Sequence, residues 1–246
     1  MDAKATPSIQ PHTFPLGLPL PLDQVHYGPD IPNEGELRLL GDLSGKRILQ
    51  LGCGDGHNTV ALHRKGARVI VVEPDPIRVK NARDLFEREG TRVEILQGDV
   101  ADLASVRAES IDIALSVYTL AGVSDLARVF RQVHRVLRPD LPFVFSLPHP
   151  AFAMVDVTTK RPVKLTRSYW EETPRPWALG DDDDSEGIDY GHTFSRLFTW
   201  LTRSNFRVDI LMEPEPKDSK ERSPLWVDAM ATVPSTLVLR ARKLGF

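Results

Sequence analysis

Three glycines in five positions, Gly52, Gly54 and Gly56 in "ILQLGCGDGHNTVAL", follow an apolar run and precede a helical pattern. A loop without side chains lets a ligand lie against the backbone, and a helix starting near Gly56 points free N–H groups and the positive end of its dipole at an incoming carboxylate or phosphate. Two acids stand at matching places further on. Glu73 ends the next apolar run, where a carboxylate can accept both hydroxyls of a ribose, and Asp99 in "LQGDV" ends the third, where it can take a hydrogen bond from an adenine amino group. Candidate proton acceptors come later. His149 in "SLPHP" could deprotonate a hydroxyl or only hold the turn between Pro148 and Pro150. Tyr118 follows the fourth apolar run, and His192 sits among the aromatics Tyr169, Trp170, Trp177 and Tyr190, which would suit a planar or apolar ligand or could simply pack.

A regular scaffold has to position these groups. From Arg47 onward short apolar runs alternate with amphipathic stretches: "RILQL", "RVIVVE", "VEILQ", "IDIALSV" and "FVFSLP" read as strands. Their lack of polar alternation is the mark of strands covered on both faces by helices. "GHNTVALHRKG" and "DPIRVKNARDLFEREG" read as helices, the second with Asp75 as N-cap, Pro76 at the first helical position and Gly90 past the end. Between the fourth and fifth strands Leu126, Val129, Phe130, Val133, Val136 and Leu137 keep helical spacing, while Arg128, Arg131, Arg135 and Arg138 share another face. That second face reads as a solvated helix surface, with a basic groove for an acidic partner as the alternative. "HTFSRLFTWLTRSNF" is helical, and "RVDILME" and "STLVLRARK" are final strands whose connection is too proline-rich for a crossover helix, so they are expected to pair as a hairpin. The expected fold is α/β: a doubly wound, mainly parallel seven-stranded sheet of Rossmann-like type whose last strands form an antiparallel hairpin. Residues 1–43 are expected to form a proline-rich arm, disordered to about residue 20, and a short helical cap from Glu34 to Leu40 behind Asn33. Residues 44–246 would be the ligand-binding domain, interrupted by an irregular insert over about 151–191 that could serve as a lid or wall.

Composition narrows the functional classes. The 31 Lys and Arg against 34 Asp and Glu give a net charge of -3, without the basic excess that phosphate neutralisation asks of a nucleic-acid binder. No nucleic-acid partner is expected. A single cysteine, Cys53, precludes an internal disulfide and fits a reducing cytoplasm, and it reads as small filler in the loop. The N-terminus lacks the pattern of a secretory leader, and no apolar run reaches the ~18 residues of a membrane helix, so a soluble cytoplasmic protein without a membrane partner is expected.

Ribose and adenine occur together in nicotinamide dinucleotides and in S-adenosylmethionine. The dinucleotide pattern G-x-G-x-x-G leaves room for a pyrophosphate; here the third glycine comes one residue early and His57 takes its place, which favours the sulfonium compound. The motifs "ILQLGCGDG", "VVVEPD", "LQGDV", "IDIALSVYTL" and "VLRPDLPFVFSLP", in this order, resemble the five motifs of class I S-adenosylmethionine-dependent methyltransferases of the small-molecule type. The resemblance covers residues 45–148 and, by topology, the last two strands. It implies that Gly52, Gly54 and Gly56 border the methionine part of the cofactor, with His57 and Asn58 near its carboxylate. It further implies Glu73 on the ribose, Pro74 beside the adenine, Asp99 and the Val100 amide on the adenine edge, and Ser116 and Val117 at the amino-acid end. Tyr27 would close over that end or pack at the surface. Gln50 stands where the family often carries an acid that helps organise the methionine ammonium, and Asp140-Leu141 replace a common Gly-Gly, so that loop must take another shape.

The resemblance implies methyl transfer to an oxygen or nitrogen of a small-molecule substrate. A binding protein with the same pocket and no transfer, or methylation of RNA or protein, are the alternatives. No metal is expected: related metal-dependent catechol methylation needs acids near the end of the fourth strand, and "LSVYTLAGV" has none, while Asp181 to Asp184 read as a solvated run.

Overall fold

The computed structural model describes residues 20–157, 162–171, 173–176, 188–217 and 222–245. Trp177, the acidic run 181–184 and residues 1–19 of the arm lie outside the described residues. Seven strands form one sheet: β1 (Arg47–Leu51), β2 (Arg68–Glu73), β3 (Glu94–Gln97), β4 (Ile113–Val117), β5 (Pro142–Pro148), β6 (Phe206–Met212) and β7 (Thr236–Lys243). Their order is β3-β2-β1-β4-β5-β7-β6, with β7 antiparallel to both neighbours and every other pairing parallel. The final two strands therefore pair as the proline-rich connection requires.

The strands in the middle of the sheet explain the continuous apolar runs. Every residue of β4 is buried and β1 is buried from Ile48 onward, because helices cover both faces. The edge strand β6 alternates instead, as a strand with one face in water does. Among the described residues five α-helices flank the sheet: α1 (Glu34–Leu37), α2 (His57–Arg64), α3 (Pro76–Arg88), α4 (Leu126–Val136) and α5 (Phe194–Arg203). On α3 the Asp75 carboxylate accepts the Ile77 amide at 2.8 Å ahead of Pro76, so the cap read from sequence forms. On α4, Leu126, Val129, Phe130, Val133 and Val136 face inward, and Phe130 meets Phe143 and Phe145 of β5 at ring distances of 6.1 and 5.7 Å.

The cap helix is shorter than expected, ending at Leu37 instead of Leu40. Arg38 turns left-handed at φ 51, and the chain folds back on the buried Glu34 carboxylate. That carboxylate accepts the Leu39 and Leu40 amides, each at 2.9 Å, and the Tyr27 hydroxyl at 2.6 Å. A helix continued to Leu40 would leave this buried charge short of donors, which is more costly than losing one helical turn. Among the described residues no helix is long and apolar enough to cross a membrane.

Candidate cofactor and active site

Strand order reverses at β1, which is flanked by β2 and β4, and the glycine loop leaves the carboxyl end of β1 at that switch point. Gly52 has φ +73, and a Cβ there would stand 1.8 Å from Thr119 Oγ1. Only glycine lets the loop pass this close to the turn after β4. Gly56, with φ +95, caps α2, and a Cβ there would stand 2.8 Å from Phe86 of α3. Its side-chain-free position therefore serves helix packing as well as the loop. Gly54, with φ +53, lies between them.

Other side chains hold the loop. Gln50, buried at the end of β1, accepts the Thr59 hydroxyl at 2.8 Å and donates to the Gly52 carbonyl at 3.2 Å. A neutral amide can do both at once, which a carboxylate in the same place cannot. Asp55 accepts from Arg78 at 2.8 Å and from Asn81 at 3.0 Å, tying the loop to α3. Cys53 is buried and its thiol is pushed well up, first by burial and then by Glu73, so it stays protonated filler.

Glu73 ends β2 beside this loop and is 0 % exposed. Its Oε2 accepts the Cys53 amide at 2.8 Å and the Gly54 amide at 3.3 Å, and its Oε1 accepts the Asp75 amide at 3.1 Å. Burial raises its pKa, opposed by these three donors. The acid placed on a ribose by the resemblance is thus, in this conformation, a closed clamp on the glycine loop. Three of its roughly four lone-pair positions are in use. Pro74 is half-buried next to it. Asp99 is exposed at the end of β3, its Oδ1 accepting the Ala101 amide at 2.8 Å, while among the described residues the Val100 amide has no backbone partner. On β4, Ser116 donates to the Leu51 carbonyl at 3.0 Å, fixing the β1–β4 seam, and Val117 is buried at its end.

The N-terminal segment crosses this end of the sheet. Asn58, at the start of α2, accepts the His26 amide at 2.8 Å and donates to the His26 carbonyl at 2.9 Å. Ser146 of β5 donates to the Tyr27 carbonyl at 2.5 Å, and Asp30 accepts the Ser223 amide at 2.9 Å and hydroxyl at 2.6 Å. Asn58 is therefore a strap anchor, and Tyr27 is fully buried with its hydroxyl on Glu34, neither a surface aromatic nor a hydroxyl aimed into a cleft. His26, which no sequence pattern singles out, has a buried Nε2 without a hydrogen-bond partner, and so does His57 at Nδ1. Removing the anchor with Asn58→Ala leaves the half-buried His26 backbone groups unpaired. It should lower stability by about 1–3 kcal/mol, read as a reduced urea midpoint at unchanged m-value.

The three candidate bases fare differently. Tyr118, left-handed at φ 63 and fully buried, shares a 2.6 Å hydrogen bond with Thr236, and burial pushes its hydroxyl far up. It is a packed residue that stays protonated. His149 accepts the Ala151 amide at Nδ1 (3.1 Å), so Nε2 carries the proton and faces Glu213 at 2.8 Å. With both nitrogens engaged it has no lone pair for a substrate proton, and it holds the turn between the two prolines. His192 is 4 % exposed and donates through Nε2 to the Val123 carbonyl at 2.9 Å, which leaves Nδ1 buried, unprotonated and without a hydrogen-bond partner. Tyr190 stacks on it at 6.2 Å and Trp200 meets it edge-on at 5.7 Å. Burial lowers its pKa, against the Val123 and Leu120 carbonyls and Asp189. The Tyr190 amide also donates to the Ala121 carbonyl at 2.9 Å. These bonds seat His192 on the turn 119–122 that contains Thr119, the neighbour of Gly52. In the insert, Tyr169 accepts the Phe194 amide at 3.2 Å, while Trp170 is 79 % exposed.

Residues 49–145 match the methyltransferase domain family. The ubiquinone biosynthesis O-methyltransferase of Azorhizobium caulinodans is 31 % identical over 115 residues, covering 47 % of this chain and 43 % of that protein. The magnesium-protoporphyrin O-methyltransferase of Rhodobacter capsulatus is 31 % identical over 118 residues, covering 48 % and 52 %. The chain thus spans about half the length of the curated relatives it matches. A solved S-adenosylmethionine-dependent methyltransferase from Mesorhizobium loti superposes with a TM-score of 0.68 at 26 % identity, over 84 % of this chain and 94 % of that one. The sheet order, the glycine loop at its switch point and these likenesses agree, and the chain has the fold of the class I S-adenosylmethionine-dependent methyltransferases.

Proposed function

We propose that the protein transfers the methyl group of S-adenosylmethionine to an oxygen or nitrogen of a small-molecule acceptor. The observation that carries this reading is the cradle at the end of β1: a loop whose Gly52 tolerates no Cβ, clamped from below by a carboxylate at the end of β2. Buried unpaired nitrogens on His26 and His57 suit a ligand with a polar amino-acid end, and the open Val100 amide beside Asp99 suits the edge of an adenine. Glu73 would keep the loop in shape through its amide donors and offer its remaining lone pair to a ribose hydroxyl. Because Glu73 is closed off here, cofactor entry has to uncover it. Gly52, Gly54 and Gly56 would flank the methionine chain, with Ser116 and Val117 forming the floor.

When bound, the sulfonium supplies an already activated methyl, so the protein chiefly has to align the acceptor and remove a proton where one must leave. His192 is the one of the three candidate bases with a lone pair to spare, and its lowered pKa keeps that lone pair available at neutral pH. Tyr190 and Trp200 around it suit a planar acceptor. The names of the relatives, a ubiquinone biosynthesis O-methyltransferase and a magnesium-protoporphyrin O-methyltransferase, agree with a small-molecule substrate.

Incubation with methyl-labelled S-adenosylmethionine and a panel of phenols, carboxylic acids and amines tests the proposal. Label transferred to a panel member supports it. Binding without transfer to any acceptor favours a non-catalytic binding protein, and label found in added RNA or protein favours a macromolecular substrate.

A further inference from the structure

At the end of the sheet opposite the glycine loop a cleft of about 540 Å³ opens between the later turns of α4, the end of α5 and the end of β7. Its size falls in the range that holds small molecules, roughly 300–1,000 Å³. Four cationic side chains line it, Arg131, Arg135, Arg203 and Lys243, against the single carboxylate of Glu109. The protein as a whole carries a net charge of -3, so this concentration of positive charge is local.

The four cations are not equivalent. Arg135 is occupied by the Leu103 and Val106 carbonyls at 2.6 and 3.0 Å, and Lys243 by Glu109 and the Leu137 carbonyl at 3.0 and 2.9 Å. These two are structural. Arg131 and Arg203 are exposed and have no hydrogen-bond or ion-pair partner among the described residues. They face the same cleft from different helices, and the Asn205 side chain, next to the left-handed end of α5, adds a further donor. The carboxyl ends of α4 and α5 also point toward this region and contribute about half a negative charge each. That offsets only part of the excess, and one cation would suffice to balance each helix end.

We infer that this cleft is a binding site for a small, multiply charged oxyanion, held between the Arg131 and Arg203 guanidinium groups at the end of the sheet remote from the glycine loop. A planar guanidinium presents paired N–H donors that match carboxylate and phosphate oxygens. Two such groups on separate helices select a ligand with at least two charged ends. The limited size of this open cleft and the acidic balance of the chain suit a metabolite rather than a nucleic-acid backbone. This inference does not depend on the methyl-transfer reading.

Calorimetric titration at physiological ionic strength with sodium pyrophosphate and, separately, with citrate separates phosphate from carboxylate recognition. Saturable binding of at least one, with a dissociation constant of about 1 mM or tighter, is expected. The double variant Arg131→Ala/Arg203→Ala should weaken it at least tenfold with an unchanged melting temperature, since both side chains are exposed and unpaired. Arg128→Ala, on the same helix but outside the cleft, should leave affinity within twofold. S-adenosylmethionine binding should persist in all three proteins, which keeps a failure here distinct from a failure of the cofactor site. The proposal is overturned by the absence of saturable binding of both anions, by equal affinity in the double variant, or by an equal loss in Arg128→Ala.

Discussion

Gly52→Ala should abolish detectable S-adenosylmethionine binding and destabilise the protein by about 3 kcal/mol or more. Two separate penalties add at this position. At φ +73 an alanine sits in the left-handed region, at a cost of roughly 1–2 kcal/mol. Its Cβ would also meet Thr119 at Oγ1, Cβ and Cγ2, at 1.8, 2.7 and 2.7 Å, so no rotation of the threonine clears the space. The loop or the turn 119–122 has to move, and that displaces the Cys53 and Gly54 amides that hold Glu73. Calorimetry with the cofactor and urea unfolding check the two halves separately. Wild-type affinity in a well-folded Gly52→Ala protein would show that the loop does not line the cofactor.

His192→Gln should lower kcat by roughly 10²–10⁴-fold for an acceptor that must lose a proton, with cofactor affinity unchanged. Glutamine can still donate to the Val123 carbonyl, so the seat on the turn persists while the basic Nδ1 lone pair is lost. Burial holds the His192 pKa below the ordinary histidine value. The group is protonated, and inactive as a base, only on the acidic side of that value. The wild-type rate should therefore fall as pH drops through that range, and the variant should lose this limb of the profile. A kcat within threefold of wild type across pH, for an acceptor found by label transfer, would remove His192 from the chemistry. His149→Gln is the internal control. Its nitrogens are already bound to Ala151 and Glu213, so it should change stability more than the shape of the pH profile.

The sheet was readable in the sequence because its signals are local. Five apolar runs, the Asp75-Pro76 helix start and the proline-rich connection before β7 each act within a few residues, and together they point to a doubly wound, mainly parallel sheet that ends in a hairpin, while the strand order itself comes from the packing. The glycine loop and the two acids were readable for the same reason. What could not be read were partnerships between distant positions. Asn58 engages a backbone 32 residues away and Tyr27 donates to a carboxylate in the cap, so residues that sequence order places around a ligand instead hold the N-terminal strap. The ranking of the histidines likewise depended on which lone pairs neighbours had already taken. Glu213, 64 residues from His149, decides that matter and carries no motif. The arginines of α4 shared a face in the sequence, but only the packing of α5 and β7 beside them divides them into structural and unspent groups.

Binding at the glycine loop is what the rest depends on, and a crystal structure with S-adenosylhomocysteine tests it most directly. The homocysteine chain should lie along Gly52, Gly54 and Gly56, with the ribose at an uncovered Glu73 and the adenine edge at Asp99 and the Val100 amide. Density for the ligand elsewhere at full occupancy, with Glu73 out of contact with it, would contradict this placement.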